Sequence, residues 1–363
     1  MAEATPAFVL QSARNASFES RKTPQLRDEY DVKIHVEQTG ICGSDIHLWH
    51  EGHLGDWGGN SPVVLGHEGA GRVVEVGKKV KNVKVGDLVA VEPGESCRRC
   101  DSCRSGAYNL CTHTSLAGVL GRDGLLQKYF VTAGDLCYPL PTHMNAEDGA
   151  LIEPTAVAVE ICRVAELRLG QTVLVFGCGP IGLLAQAVAK AQGAKKVVAV
   201  DSSESRAACA KSFGADHVFI PERPSVPPSN PVDASRKLAQ HIVDEFSLGD
   251  GADVVLECTG AEPCIQAGVF ATRQGGTFVQ AGLGKDNVVF PISSTCLRGL
   301  KVKGSICYTT GCFPAAIDLL ASGKIDARSL ITHRFKFEQA TEAYELAGKS
   351  LPNTMKIMIQ GVL

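Results

Sequence analysis

The hydrophobic positions of this chain change their period partway along it, and the change divides it. Over residues 1–154 the pattern is one of short alternating strands. Val32, Ile34 and Val36 alternate with Asp31, Lys33, His35 and Glu37, which predicts a half-buried strand. Residues 71–77 and 84–91, each bounded by glycine, predict two more. Short strands joined by Gly, Asn and Lys turns point to a small barrel or sandwich. From 145 to 168 the pattern is helical and rich in Ala and Leu. Beyond it, apolar strands at 172–176, 197–200, 217–220, 252–258 and 276–281 alternate with helices at 183–191, 206–213 and 263–273. That alternation implies parallel pairing with right-handed crossovers. Residues 221–231 carry five prolines, which exclude helix and central strand and predict an exposed, mobile insertion. The tail, 317–360, holds two helical stretches and a last strand at 355–359.

The first strand of the alternating half runs straight into Gly177-Cys178-Gly179-Pro180-Ile181-Gly182 and then a small-residue helix, and the next strand ends on Asp201. Gly177 permits the tight turn, Gly179 lets backbone approach a pyrophosphate, and Gly182 lets helix and strand pack closely. The helix N-terminus faces the phosphates with free N–H groups and its positive dipole end. Glycine clusters alone are usually turns; strand, helix and acidic residue in register make this one a dinucleotide site. Ligands of such a sheet lie beyond the carboxyl ends of its strands, which places Thr259-Gly260 and Gly282-Leu283 beside the cofactor. The carboxylate of Asp201 suits ribose hydroxyls and repels a 2′-phosphate, favouring NAD. Ser202, Ser203 and Arg206 pull toward NADP. The carboxylate is expected to prevail, with Arg206 paired to it.

A net charge of −3 without a basic cluster argues against nucleic acid as a partner. The longest apolar stretch, 173–189, is broken by Gly177, Gly179, Pro180 and Gly182, so no membrane span is expected. Residues 1–20 lack a basic segment followed by an apolar core, which points to a cytoplasmic protein. Its 14 cysteines are then thiols and metal ligands rather than disulfides. Cys97, Cys100, Cys103 and Cys111 lie in a Pro/Gly/Arg-rich loop unable to build its own core. Four thiolates there close a structural zinc site; an iron–sulfur cluster would also take four, but nothing else in the chain asks for electron storage. Cys42, His67 and Glu68, each among glycines, form a second set suited to a catalytic zinc with an open position. Singly they read as a core thiol and turn residues. Glu153 is a further carboxylate able to reach that metal.

GICGSD, GHEGAG, the four-cysteine loop, an EP dipeptide and GCGPIG occur here in the order seen in the zinc-containing medium-chain dehydrogenases. The chain resembles that family over nearly its whole length, and its metal set looks like that of the polyol branch: sorbitol, xylitol and L-arabinitol dehydrogenases. The resemblance implies an α/β chain with a GroES-like β-rich catalytic domain, residues 1–154 completed by 296–363. A doubly wound, parallel-sheet Rossmann domain, 155–295, is inserted between them. It also implies a homodimer or homotetramer, two zinc ions per chain, and hydride transfer between NAD(P) and a secondary alcohol, polyol to ketose. Matched position by position, Cys42, His67 and Glu68, with Glu153 near them, become the catalytic zinc set, and the four-cysteine loop becomes the structural one. Ile181, Asp201, Arg206 and Leu283 become nucleotide contacts. Two departures bear on the substrate. Sorbitol dehydrogenases have Tyr where this chain has Leu48, and Arg-Tyr where it has Cys307-Tyr308. Losing that guanidinium removes a multi-donor fork and points to a less polar secondary alcohol or diol as the alternative.

Zinc in the Cys42 set supplies Lewis acidity toward an alcohol oxygen. Ser44, two residues after Cys42, is placed to take the proton and hand it through the ribose hydroxyls toward His47. The plainer reading has Ser44 capping a turn and His47 solvated. Asp45 is expected to orient a zinc-binding histidine. A catalytically inactive nucleotide-binding subunit, or a zinc-free quinone-type reductase of the same fold, would be free to lose Cys42 or Glu68, and this chain retains both.

Overall fold

The computed structural model describes residues 4–55, 57, 58, 62–222 and 228–363. They form two compact units, Met1–Pro154 with Thr309–Leu363, and Thr155–Tyr308. The first unit opens its main sheet with β1 (Asp31–Gly40), whose Val32, Ile34 and Val36 are buried as the alternation requires. Helix α1 (Gly43–Glu51) follows, then β2 (Glu68–Val76), β3 (Leu88–Val91), β4 (Tyr129–Ala133) and β5 (Cys137–Pro139). Antiparallel pairing joins β2 to both β1 and β3, β5 to β3, and β4 to β1. Val32, Ile34, Val36, Val73, Val89 and Phe130 fill the space this sheet encloses. Helix α2 (Ile152–Val164) then carries the chain onward.

The second unit is built on β6 (Thr172–Phe176), α3 (Pro180–Ala191), β7 (Lys196–Val200), β8 (His217–Phe219), β9 (Ala252–Glu257), β10 (Thr272–Gln280) and β11 (Lys301–Gly304). All five pairings in the order β8-β7-β6-β9-β10-β11 are parallel. The central strands β6 and β9 are buried on both faces, hence the apolar runs Val173–Phe176 and Val254–Leu256. Two expectations fail here. Residues 223–227 of the proline-rich segment lie outside the described residues, and its last proline does not break structure. Pro231 is the first residue of a 15-residue helix, α4 (Pro231–Glu245), where a missing N–H costs nothing, and the Asn230 side chain caps it by accepting the amide of Asp233 at 3.2 Å. The unit also runs past residue 295 to Tyr308, because β11 is a true strand of this sheet, Thr277 facing Lys301.

The returning chain supplies β12 (Ile331–Phe335), helix α5 (Ala340–Gly348) and β13 (Lys356–Gln360). β13 pairs antiparallel with β1, Met358 opposite Gly40, and parallel with β12. The main sheet therefore reads β5-β3-β2-β1-β13-β12. α5 lays Tyr344 against Trp49 of α1 and against Phe8, ring centroids 5.5 and 5.7 Å apart, so the C-terminal part of the chain packs against the helix that follows Cys42.

Candidate active site

Residues 43–51 form helix α1, and its start organises the site. Cys42 is the N-cap, and the carboxylate of Asp45 reaches back to accept its amide at 2.9 Å. The other Asp45 oxygen lies 3.3 Å from Nδ1 of His67, an ion-pair distance without hydrogen-bond alignment. Asp45 is thus placed as the residue that orients the imidazole, leaving Nε2 for a ligand. The register Gly40 opposite Glu68 brings the start of β2 beside the end of β1. A Cβ at Gly40 would meet the Glu68 carboxylate, so the glycine leaves that carboxylate its present place. One ligand atom each of Cys42, His67 and Glu68 lie within 4.8 Å of one another, with His67 and Glu68 buried.

Thiol, imidazole and carboxylate on one buried spot are the donor set a zinc ion takes. Burial alone would push the His67 imidazole down, but the charges of Asp45 and Cys42 override it and hold it well above the usual 6.5. Glu153, in the first turn of α2, is buried and lies outside the group of three whose ligand atoms are within 4.8 Å of one another. Burial pushes its carboxyl up to about 7 against the pull of His67 and Lys356.

Lys356 is the residue sequence reasoning missed. It sits at the start of β13, 2% exposed, and its Nζ donates to both oxygens of Glu68 at 2.7 and 2.5 Å and to the carbonyl of Ile41 at 3.1 Å. Glu68 is therefore already held by a buried cation. The signal was there: a lysine flanked by Met355 and Ile357 in an apolar strand is a buried charge, and a buried charge needs a partner.

Ser44 Oγ lies 3.2 Å from Nε2 of His67. His47, one turn further along α1, is half-buried and makes no hydrogen bond among the described residues. Leu48 is packed in the core with Trp49 and Tyr344.

The second cysteine set also converges. The sulfurs of Cys97 and Cys103 are 3.9 Å apart and those of Cys100 and Cys103 3.5 Å, near the roughly 3.8 Å edge of a tetrahedron with Zn–S bonds of about 2.3 Å. No disulfide joins them. The amides of Arg99 and Cys100 pull the Cys97 thiol down to about 6, while the pull of the Cys103 amide on the Cys100 thiol is overridden by the Cys103 sulfur and burial, which push that thiol up to about 11.

In the second unit Gly177 has φ +101, a conformation open to glycine, and a Cβ at Gly182 would collide with the carbonyl oxygen of Gly177. Nothing lies within 4 Å of where a Cβ at Gly179 would be, so the backbone there is open to a phosphate. Gly179 is the N-cap of α3, with Pro180 and Ile181 in its first turn. Asp201 at the end of β7 accepts the amides of Cys178 at 2.7 Å and Ser203 at 2.8 Å. The expected pair with Arg206 is not formed: Nε of Arg206 is buried without a hydrogen-bond partner among the described residues. Thr259, Gly282 and the exposed Leu283 stand on the turns beyond β9 and β10. Among the described residues no helix is long and apolar enough to cross a membrane.

Comparison with known proteins agrees with this geometry. Residues 28–142 match the alcohol dehydrogenase GroES-like domain and residues 180–322 the zinc-binding dehydrogenase domain. A probable D-xylulose reductase A of Arthroderma otae is 44% identical over 98% of this chain and 97% of its own length. Among solved structures, 2R,3R-butanediol dehydrogenase from Bacillus subtilis superposes with a TM-score of 0.85 at 30% identity, covering 99% of this chain and 100% of its own. A putative zinc-binding dehydrogenase from Sinorhizobium meliloti bound to NADP gives 0.85 at 27%, covering 98% and 99%. Sequence, fold and the two converging metal sets point the same way: this chain belongs to the zinc-containing medium-chain dehydrogenases, in their polyol dehydrogenase branch.

Proposed function

We propose that the chain oxidises a secondary hydroxyl of an acyclic polyol, of the xylitol, sorbitol or L-arabinitol class, to the ketose, with NAD as acceptor and two zinc ions per chain. The observation that carries the reading is the buried convergence of Cys42, His67 and Glu68, with Asp45 behind the imidazole. Bound in that set, zinc supplies Lewis acidity toward the alcohol oxygen, and bound nicotinamide supplies the hydride acceptor. The chain's own residues do the rest. Asp45 fixes the imidazole, Lys356 fixes the Glu68 carboxylate, and the Ser44 hydroxyl beside His67 takes the substrate proton and passes it toward His47. Glu153, a buried carboxyl, is the further carboxylate available to that zinc. Cys97, Cys100, Cys103 and Cys111 hold the second zinc, which orders their loop.

For the dinucleotide, Gly177, Gly179, Pro180, Ile181 and Gly182 cradle the pyrophosphate, and Asp201 takes the ribose hydroxyls with the lone pairs its amide partners leave free. Asp201 favours NAD. The unpaired Arg206 guanidinium is the one feature that favours NADP. Fourteen cysteines, none in a disulfide, support a cytoplasmic setting, and the open edge of β11 with exposed Ile292, Leu297 and Val302 supports a homodimer or homotetramer. A less polar secondary alcohol or vicinal diol is the second reading, favoured by Cys307, which stands where sorbitol dehydrogenases carry arginine.

The test is direct. Purified protein is incubated with NAD or NADP and a panel of xylitol, sorbitol, L-arabinitol and 2,3-butanediol while absorbance of the reduced cofactor is followed. Turnover of the polyols with NAD is expected. Preference for butanediol selects the second reading, and no turnover of any alcohol removes both.

A further inference from the structure

We propose that Glu257 is the positioning residue that sets how tightly the second unit holds its dinucleotide, an inference that rests on the cofactor reading above. Glu257 is the last residue of β9 and fully buried. Its Oε1 accepts the amide of Thr259 at 2.9 Å and also the Thr259 hydroxyl, and its Oε2 accepts the amide of Gly260 at 2.8 Å and Nε2 of Gln280 at 2.7 Å. The backbone carbonyl of the same residue accepts the amides of Ala281 at 2.9 Å and Gly282 at 2.8 Å. The same Gln280 nitrogen also donates to the carbonyl of Gly282 at 2.7 Å. Two turns leave the adjacent strands β9 and β10, and one residue fastens both.

Those turns have no side-chain cushion between them. A Cβ at Gly282 would collide with the amide nitrogen of Gly260, and one at Gly260 with the carbonyl of Leu283. The first turn also abuts the phosphate loop, since a Cβ at Gly177 would lie 2.9 Å from Cγ2 of Thr259. Backbone packed on backbone has no rotamer with which to absorb a shift. A displaced Thr259 turn therefore moves the Gly282 turn and alters the space above Gly177. A desolvated carboxylate is costly unless its donors are all supplied, and here four converge on it. Removing the acceptor leaves those donors unmet at the turns that face the cofactor.

Glu257→Gln keeps the shape and one acceptor oxygen while turning an NH2 toward two donors. Titration with NADH followed by fluorescence, and steady-state kinetics, give the readout. The expected result is a Kd for NADH and a KM for NAD raised on the order of tenfold, with kcat at saturating cofactor within about twofold and zinc content unchanged. Ser235→Ala serves as a stability control in the same unit, since its buried hydroxyl donates to Gln266 at 3.0 Å away from these turns; it should lower Tm and leave the Kd alone. If Glu257→Gln does not fold, Gln280→Leu, which cuts the link to the Gly282 turn, carries the test with the same expected direction. A variant that melts earlier yet binds NADH like wild type makes Glu257 an ordinary buried residue and overturns the inference. A wild type that binds neither NADH nor NADPH is a separate outcome, read before any variant, and overturns the cofactor reading itself.

Discussion

Replacing Lys356 by Met should expose how much of the metal site is held from behind. The substitution keeps an unbranched stem one atom shorter and deletes the charge. It leaves Glu68, whose side chain is 1% exposed, without the cation that contacts both its oxygens, and it orphans the carbonyl of Ile41. Breaking a buried ion pair from one side costs about 3–5 kcal/mol, a large part of the roughly 5–15 kcal/mol that holds a domain folded. For a unit of about 200 residues each kcal/mol moves Tm by roughly 2–4 °C, so the metal-free protein should melt on the order of 6–20 °C lower. Zinc offers Glu68 a second cation, so the loss should be smaller in zinc-loaded protein. Calorimetry of Lys356→Met, Glu68→Gln and the double variant, each with and without zinc, makes the measurement. The double variant should be more stable than Lys356→Met alone, because neutralising the stranded carboxylate removes its desolvation cost. A metal-free Lys356→Met that melts with wild type, or a double variant no better than the single one, refutes the reasoning.

Elemental analysis should find about two zinc ions per chain, with Cys100→Ser losing one of them along with thermal stability, and His67→Ala abolishing turnover in a protein that still folds. Unchanged melting of metal-replete Cys100→Ser would count against the structural role of that loop. Asp201→Ala should weaken NAD and admit NADP, because it removes the repulsion toward a 2′-phosphate beside the unpaired Arg206; kcat/KM with both cofactors decides, and an unmoved preference defeats the argument. It should also weaken both cofactors somewhat, since the amides of Cys178 and Ser203 lose their acceptor. Burial pushes the Asp31 carboxyl up, but hydrogen bonds from Arg27 override it and hold it below the usual 3.8. A depressed carboxyl contributes stability above its unfolded value that is lost as pH falls through the folded one. Urea unfolding between pH 5 and pH 2.5 should therefore show wild type losing more stability than Arg27→Leu, and parallel curves would contradict the pairing.

Gly177, Gly179 and Gly182 and the four-cysteine loop stood out in the sequence because each is a local constraint of spacing, and the structure shows the glycine turn and the convergence of the four sulfurs. The helix at 43–51 went unread, since Gly43-Ser44-Asp45 is as suited to a turn as to a capped helix start, and Trp49 of that helix packs against Tyr344, nearly 300 positions away in sequence. Helix α4 was hidden behind a proline that opens it. The end of the second unit was placed too early because β11 is short and polar, its membership settled by the neighbouring strand. Lys356 and Glu257 escaped because a buried charge declares itself only when its partner is known.

The first unit's sheet closes only when β13 reaches β1, and that has a consequence for how the protein is made. Glu68 and Lys356 are 288 positions apart, and the whole second unit is translated between them. At about 5–20 residues per second a ribosome needs roughly 15–60 s to cover that distance. Throughout that interval β1 presents Gln38, Thr39 and Gly40 without their β13 partners, and Glu68 has no lysine to meet. The nucleotide-binding unit, contiguous in sequence, is free to fold during the wait. The metal site is thus finished after the cofactor site, and the nascent chain carries an open strand edge that a holding chaperone would recognise and that β13 later covers.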